Sequence, residues 1–166
     1  MRRILLIIIL LFPCCASAET EYPDADRLEK IFKPVLPVQT VYHEVPRGLI
    51  ISINEDYFFK GSSAKIKCSS LKTLDTIAKF LNKIPNDCVI EDHTQNNNSA
   101  NSDWELSVMR SSNILDYLVQ CGGVPSMKLF HLGYGDVMPL RDNVRTGGKV
   151  SGKRIDFVII DYEAKR

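Results

Sequence analysis

The sequence lacks a surplus of charge of either sign, and it has no long apolar run after its first dozen residues. Lys and Arg number 21 against 20 Asp and Glu. A protein that binds nucleic-acid phosphates carries an excess of basic residues or a basic surface stripe, so this charge balance argues against a nucleic-acid partner. The shortage of apolar runs excludes a multi-span membrane protein. A chain of 166 residues has room for one ordinary domain with a short extension.

Residues 1–18 have the three parts of a secretory signal peptide. Two arginines precede an apolar stretch over residues 4–12, and an Ala-Ser-Ala cleavage motif ends at Ala18. Nine apolar residues would span roughly 14 Å as a helix, well short of the ~30 Å hydrocarbon core. We therefore predict cleavage after Ala18 and a mature chain without a transmembrane span, in the periplasm or cell envelope. An uncleaved anchor and lipidation of the preceding cysteine pair are the alternatives.

The mature chain divides into a short tether and one domain. Residues 19–46 contain several prolines, with a weak helical pattern over residues 24–32. A plain disordered N-terminus explains that composition equally well. Residues 47–163 carry the regular apolar patterns of a folded domain.

The apolar patterns predict the order β-α-β-α-β-β. Strand–helix–strand units favour parallel neighbours with right-handed crossovers, and the last connection has no helical pattern, which predicts an antiparallel final strand. We expect a mixed α/β (α+β) fold, with a four-stranded sheet and the helices packed on one face. An S-x-x-E capping box at residues 102–105 marks the start of the second helix. The predicted strands cover residues 49–53, 89–91, 129–134 and 155–160, and the predicted helices cover 70–82 and 102–120.

A polar group of side chains should lie where the second strand ends and the second helix begins. Asp92, Thr94 and Gln95 follow that strand, and Asp103 opens the helix. Arg110 is seven residues beyond Asp103, two turns along the same helix face. Together with the free N–H groups of a helix N-terminus, they predict a pocket for a small anionic or zwitterionic group. The alternative is that Asp103 and Arg110 only solvate the helix surface.

Four segments resemble the motifs of the OmpA-like peptidoglycan-associated domain, in the family's order. Residues 89–95 (VIEDHTQ) resemble v-x-E-G-H-T-D, and residues 102–111 (SDWELSVMRS) resemble N-x-x-L-S-x-x-R-A in a form close to that of MotB. Residues 132–139 (LGYGDVMP) resemble v-G-Y-G-e-x-x-P, and residues 153–159 (KRIDFVI) resemble N-R-R-V-E-I-x-I. The resemblance runs from about Arg47 to Tyr162.

The resemblance implies a non-catalytic module that binds the diaminopimelate-containing peptide stem of peptidoglycan and needs no cofactor. In the family, the Asp of H-T-D faces the ligand's ammonium and the Arg of L-S-x-x-R faces its carboxylate, each through charge-assisted hydrogen bonds. This chain keeps that Arg as Arg110, but Gln95 stands in place of the Asp. Asp92 and Asp103 replace a Gly and an Asn of the family and add carboxylates beside the pocket. The ligand-binding candidates are Arg110, Gln95, Thr94, Asp103, Asp92, Leu106 and Arg154.

The substitution of Gln95 leaves two functional hypotheses. Either the module binds peptidoglycan with weakened affinity, or it is a degenerate OmpA-like scaffold for a protein partner in the envelope. A hydrolase has no support from a placed nucleophile and base. A metal site built on His93 and His131 has no supporting ligand spacing, so we expect no metal.

The cysteines raise a separate structural question. The second helix runs back towards the start of the second strand, which brings Cys121 towards Cys88 and would allow a disulfide between them. Cys68 should stay unpaired because it opens the first helix at the other end of the domain. Separate thiols are the alternative.

Overall fold

The computed structural model describes residues 40–94, 100–136 and 152–160, together with four isolated positions between 30 and 37. The predicted signal peptide and most of the predicted tether lie outside the described residues. Within the described part of the chain, no helix combines the length and the apolar character needed to cross a membrane.

Five strands form a single sheet in the order β1-β2-β5-β3-β4. All four predicted strands are present, and one further strand, β1, pairs with β2 at an edge of the sheet. The strands are β1 Val41–Val45, β2 Gly48–Asn54, β3 Cys88–His93, β4 Leu129–Gly133 and β5 Arg154–Ile160.

The additional strand lies in the segment predicted to be a tether. β1 pairs antiparallel with β2 across a turn at Pro46 and Arg47. As an edge strand it is only half-buried, so its sequence shows no clean apolar alternation. Leu36, from the same segment, is buried in the core. The ordered domain therefore draws in more of the N-terminal segment than the apolar pattern indicates.

Three α-helices are described: α1 Glu55–Phe58, α2 Leu71–Leu81 and α3 Ala100–Gln120. Two short 3-10 turns, Cys68–Ser70 and Ser126–Lys128, precede α2 and β4. The predicted α2 is confirmed, with its apolar residues buried at spacings of three and four. α3 ends where predicted, at Gln120, but it starts at Ala100. Residues 102–105 therefore lie inside the helix, and their interpretation as a capping box is wrong.

The strand directions follow the prediction, but one neighbour relation does not. β3 and β4 are parallel neighbours, and β5 is antiparallel as expected. β2 and β3 are also parallel to each other, yet they are not adjacent, because β5 lies between them and pairs with both. All residues of β5 up to Ile159 are buried, as a strand with neighbours on each side requires. Strand-by-strand patterns do not reveal this insertion, because they carry no information on which strand is central.

The strand registers separate the sheet into two faces. Leu49, Ile51 and Phe157 point towards α2 and α3 and form the hydrophobic core with residues such as Leu74 and Ile114. We call this side the helix-side face, and each large apolar side chain buried there contributes about 1.5–3 kcal/mol. The opposite side is called the far face. It carries Ser52, Glu91, His93, Arg154 and Asp156.

Candidate functional site

Arg110 is the centre of a buried polar group at the edge where β2 and β3 end. It projects from α3 and is fully buried. Its Nε donates to the backbone carbonyl of Ser63 at 3.0 Å, and its Nη2 donates to that of Gly61 at 2.5 Å. The guanidinium carbon also lies 4.9 Å from the centroid of the Phe59 ring. The loop after α1 therefore holds the guanidinium from two sides.

Glu55 supplies the countercharge of Arg110. Its Oε1 lies 2.7 Å from Arg110 Nη1, and both side chains are buried. Glu55 is the first residue of α1, which Asn54 caps by accepting a hydrogen bond from the Asp56 N–H at 2.7 Å. Breaking a buried ion pair by removing one partner costs about 3–5 kcal/mol, so this contact is central to the local structure.

Thr94 connects Arg110 to a second buried carboxyl group. Its hydroxyl donates to Asp92 Oδ1 at 2.7 Å and accepts from Arg110 Nη1 at 3.2 Å. Burial raises the pKa of Asp92 to about 8, although the hydrogen bond from Thr94 partly opposes this shift and nearby Glu55 adds to it. Asp92 therefore retains its proton at neutral pH. We call Glu55, Asp92, Thr94 and Arg110 the helix-side cluster.

The helix-side cluster contains more acceptors than donors. One arginine serves two carboxyl groups. Glu55 Oε2 and Asp92 Oδ2 are buried without a hydrogen-bond partner in the described part of the chain. Buried polar atoms without partners are costly and uncommon in folded proteins. Glu55 Oε2 therefore has an unused capacity to accept hydrogen bonds, and Asp92 Oδ2 gains the same capacity when Asp92 is ionised.

Two glycines let α3 approach the sheet closely enough to deliver Arg110. A Cβ at Gly133 would lie 2.4 Å from both Ser107 Oγ and the Val108 nitrogen, so α3 rests directly on β4 there. Gly135 adopts a positive φ of 55° and donates its N–H to Ser107 Oγ at 3.0 Å. Ser107, the serine of the L-S-x-x-R segment, therefore anchors the helix to the turn after β4.

The structure brings most of the predicted site residues together. Asp103 and Leu106 are buried on the same side of α3 as Arg110. Gln95 lies outside the described residues. Trp104 is 52% exposed, because the helical turn that buries Asp103 directs its neighbour to solvent.

Arg154 is not part of the helix-side cluster. It lies on the far face, where its Nε donates to Asp156 Oδ2 at 2.9 Å. The same carboxylate accepts from Ser52 Oγ at 2.6 Å, and His93 Nε2 lies 3.2 Å away. Although burial alone would raise it, the contacts with His93 and Arg154 hold the pKa of Asp156 below its usual range.

A second ion pair completes this far-face group. Arg47 binds Glu91 through both guanidinium nitrogens, at 2.7 and 2.9 Å. We call Arg47, Ser52, Glu91, His93, Arg154 and Asp156 the far-face network. Glu91, His93 and Asp156 place one ligand-type atom each within 4.8 Å of one another. Each carboxylate already has its own arginine, so a metal ion there would face two guanidinium charges, and the group fits internal ion pairing better.

Sequence reasoning missed Glu55 and the carbonyl groups of Gly61 and Ser63. A signal for Glu55 was available, because it directly follows the apolar strand β2, which ends at the same sheet edge as Asp92. No side-chain pattern marks the two carbonyls, since any residue type offers a backbone oxygen.

The three described cysteines, Cys68, Cys88 and Cys121, are free thiols in the structure, so the possible Cys88–Cys121 disulfide is not formed in it and the alternative of separate thiols is the one observed. Cys88 is buried on the helix-side face, whereas the other two are exposed. Burial raises the pKa of the Cys88 thiol to about 12, which makes it unreactive in the folded chain.

Comparisons with known proteins agree with this architecture. The sequence model of the OmpA family matches residues 58–152. The chain is 32% identical to the uncharacterized protein YtxE of Bacillus subtilis over 117 residues, covering 68% of this chain and 48% of YtxE. It is 30% identical to the peptidoglycan-associated lipoprotein of Rhizobium meliloti over 91 residues, covering 54% of this chain and 51% of that protein. The chain thus spans about half the length of these curated relatives.

Among solved structures, the fold is similar to the periplasmic domain of Helicobacter pylori MotB. The TM-score is 0.63 at 19% identity, with 74% of this chain and 82% of that chain covered. A likeness at this identity carries the fold and no finer property.

Proposed function

The chain belongs to the OmpA family, and on that premise we propose that it is a non-catalytic envelope module that binds the peptide stem of peptidoglycan. Its relative from Rhizobium meliloti is a peptidoglycan-associated lipoprotein, which supports the ligand class. The diaminopimelate residue of the stem would sit against the helix-side cluster. Gln95 stands where the family has Asp, so affinity would be weakened unless another carboxyl group of the cluster supplies the missing charge.

The observation that carries this proposal is the convergence of Thr94, Asp92 and Arg110 at one end of the sheet. Three residues from two separate family-like segments meet through hydrogen bonds of 2.7 and 3.2 Å. A buried cation, a hydroxyl and carboxyl groups are the side chains that a zwitterionic ligand requires.

A binding role also fits the chemistry of the serines near the site better than catalysis does. Ser111 Oγ lies 3.3 Å from His131 Nδ1, which is a Ser–His contact. However, that hydroxyl is buried and lies 2.9 and 3.0 Å from the carbonyls of Ser107 and Val108 on its own helix. A hydroxyl directed back at helix carbonyls is not presented to a substrate.

Co-sedimentation with purified sacculi tests the proposal. The full chain should pellet with sacculi above the level of bovine albumin. Thr94→Val should lower the pelleted fraction at least threefold, because the variant removes the hydroxyl that connects Asp92 to Arg110. Thr76→Val is the matched control, since Thr76 Oγ1 only donates to the carbonyl of Lys72 on the exposed side of α2.

No pelleting of the parent chain would reject peptidoglycan binding and favour the second candidate, a scaffold for a protein partner. A specific observation supports that candidate: Phe130 and Leu132 of the edge strand β4 are 52% and 46% exposed on the far face. Equal loss of pelleting by Thr94→Val and Thr76→Val would reject the site while leaving the ligand class open.

A further inference from the structure

The charge balance of the helix-side cluster indicates which end of a zwitterion it can recognise. Arg110 is paired with Glu55 at 2.7 Å, and protein oxygens of Gly61, Ser63 and Thr94 accept from its guanidinium. Its charge is neutralised, and four of its five N–H donors are engaged within the protein. A ligand carboxylate arriving there would have to displace Glu55, a buried anion already in contact.

The two carboxyl groups of the same cluster, in contrast to Arg110, are not fully engaged within the protein. Glu55 Oε2 and Asp92 Oδ2 are nine-tenths buried or more and lack hydrogen-bond partners within the described residues. A primary ammonium group carries three N–H donors and no acceptor, which matches two neighbouring carboxyl groups that each have one oxygen without a donor. Both residues lie at the edge where β2 and β3 end, and Asp92 precedes Gln95 by three residues in the sequence.

We propose that Glu55, assisted by Asp92, has taken over the ammonium-binding role that the Asp at the position of Gln95 has in the family. In consequence, the module recognises the side-chain ammonium of the diamino acid in the stem and gains little from its side-chain carboxylate. It therefore accepts lysine in place of diaminopimelate. This inference rests on the proposed peptidoglycan binding.

The protonation of Asp92 is compatible with this role. Burial raises the pKa of Asp92 to about 8, so its ionised form is within reach at neutral pH once a cation lies beside it. The negative charge for the ligand ammonium comes from Glu55. Arg110 and the start of α1 hold the Glu55 side chain in place.

The first experiment needs no variant. The full parent chain is sedimented with diaminopimelate-type and with lysine-type sacculi, and the half-saturating sacculus concentrations are compared. We expect values within threefold of each other. A preference of tenfold or more for diaminopimelate-type sacculi would overturn the inference while leaving the proposed function intact. Failure to pellet with either type would instead reject the proposed function.

The second experiment separates ammonium recognition from nonspecific attachment. Glu55→Gln should weaken binding to both types of sacculi about tenfold or more, because a charge-assisted hydrogen bond is lost. Glu105→Gln, an exposed change on α3, is the matched control and should bind like the parent. Gln95→Asp should restore at least fivefold in the Glu55→Gln background and change the parent by less than threefold. Gain by Gln95→Asp in the parent, without dependence on Glu55, would contradict the proposal.

A third variant covers the case in which Glu55→Gln does not fold. Asp92→Asn keeps an oxygen for Thr94 but cannot ionise, and it should weaken binding to both sacculus types by threefold or more. Parent-like binding by a folded Asp92→Asn protein would exclude Asp92 from the role. Circular dichroism and urea titration identify which variants are folded.

Discussion

Two pairs of buried carboxyl groups lie on opposite faces of one sheet, and only one pair has an arginine for each member. On the far face, Arg47 and Arg154 each bind one carboxylate. On the helix-side face, Arg110 pairs with Glu55 and is connected to Asp92 only through the Thr94 hydroxyl. The two clusters are made from similar residue types, yet the first is balanced in charge and the second carries one carboxyl group in excess.

The difference between the clusters appears in the pKa values of Asp92 and Asp156. The pKa of Asp92 is raised to about 8, chiefly by burial, whereas contacts with His93 and Arg154 outweigh burial and lower the pKa of Asp156. A balanced network stabilises the fold. A cluster with surplus acceptors costs stability and has capacity for a ligand, which is a common property of functional sites.

The largest expected effect comes from breaking the helix-side pair. Arg110→Met leaves the buried carboxylate of Glu55 without a countercharge and should lower the free energy of unfolding by about 3–5 kcal/mol. Urea denaturation measures this loss. The double variant Arg110→Met with Glu55→Gln should recover most of it, because no uncompensated charge remains. A double variant as unstable as the single one would contradict the ion-pair explanation.

The two aspartates should respond to pH in opposite directions. The folded pKa of Asp92 is raised to about 8, so the stability contributed by this group falls as the pH rises from about 4 towards 8. Asp92→Asn removes that loss and should be more stable than the parent at pH 8, with little difference near pH 4.

Asp156 is the comparison for the same measurement. Its folded pKa is lowered, so its contribution is present above about pH 4 and disappears as the pH falls below that value. Asp156→Asn should therefore destabilise the chain at neutral pH, and the difference from the parent should shrink in acid. Urea midpoints measured from pH 3 to 8 give both curves. Parallel curves for the two variants would remove the distinction between the clusters.

A smaller effect is expected where α3 meets the sheet. Gly133→Ala places a methyl group 2.4 Å from Ser107 Oγ and the Val108 nitrogen, and the resulting shift should cost about 1–3 kcal/mol. Because α3 carries Arg110, this change should disturb the helix-side cluster and spare the far-face network. Gly123→Ala is the control: it has no atom within 4 Å and bears only the strain of its positive φ. Thermal denaturation compares the two.

The smallest effect should come from the exposed member of the far-face network. The Arg47 side chain is 47% exposed, so solvent screens its pair with Glu91. Arg47→Gln leaves the buried Glu91 carboxylate without its arginine, but the Gln amide and solvent at this half-exposed position can still donate to it, so the loss in urea denaturation should be smaller than that of Arg110→Met, with sacculus binding unchanged. A loss as large as that of Arg110→Met would mean that the far-face network is as sensitive as the helix-side cluster.

Most of the fold was predictable because its elements are locally encoded. Apolar residues at spacings of three and four fixed α2, and β-branched runs fixed β2 and β5. The edge strand β1 was missed because half-buried edge strands have mixed composition. The candidate site was predicted in part. Thr94 and Arg110 do meet, but Arg154 lies on the far face, because successive residues of a strand point to opposite faces of the sheet.

The sequence by itself determined which segments become helices and strands, the family of the fold, and the presence of a polar group beside Arg110, because periodicity and collinear motifs are local properties of the chain. Only the tertiary structure decided that β5 lies between β2 and β3 and that Glu55 is the partner of Arg110. Those relations join residues far apart in sequence. They depend on which strand is central and how closely α3 packs on β4, which no local pattern records.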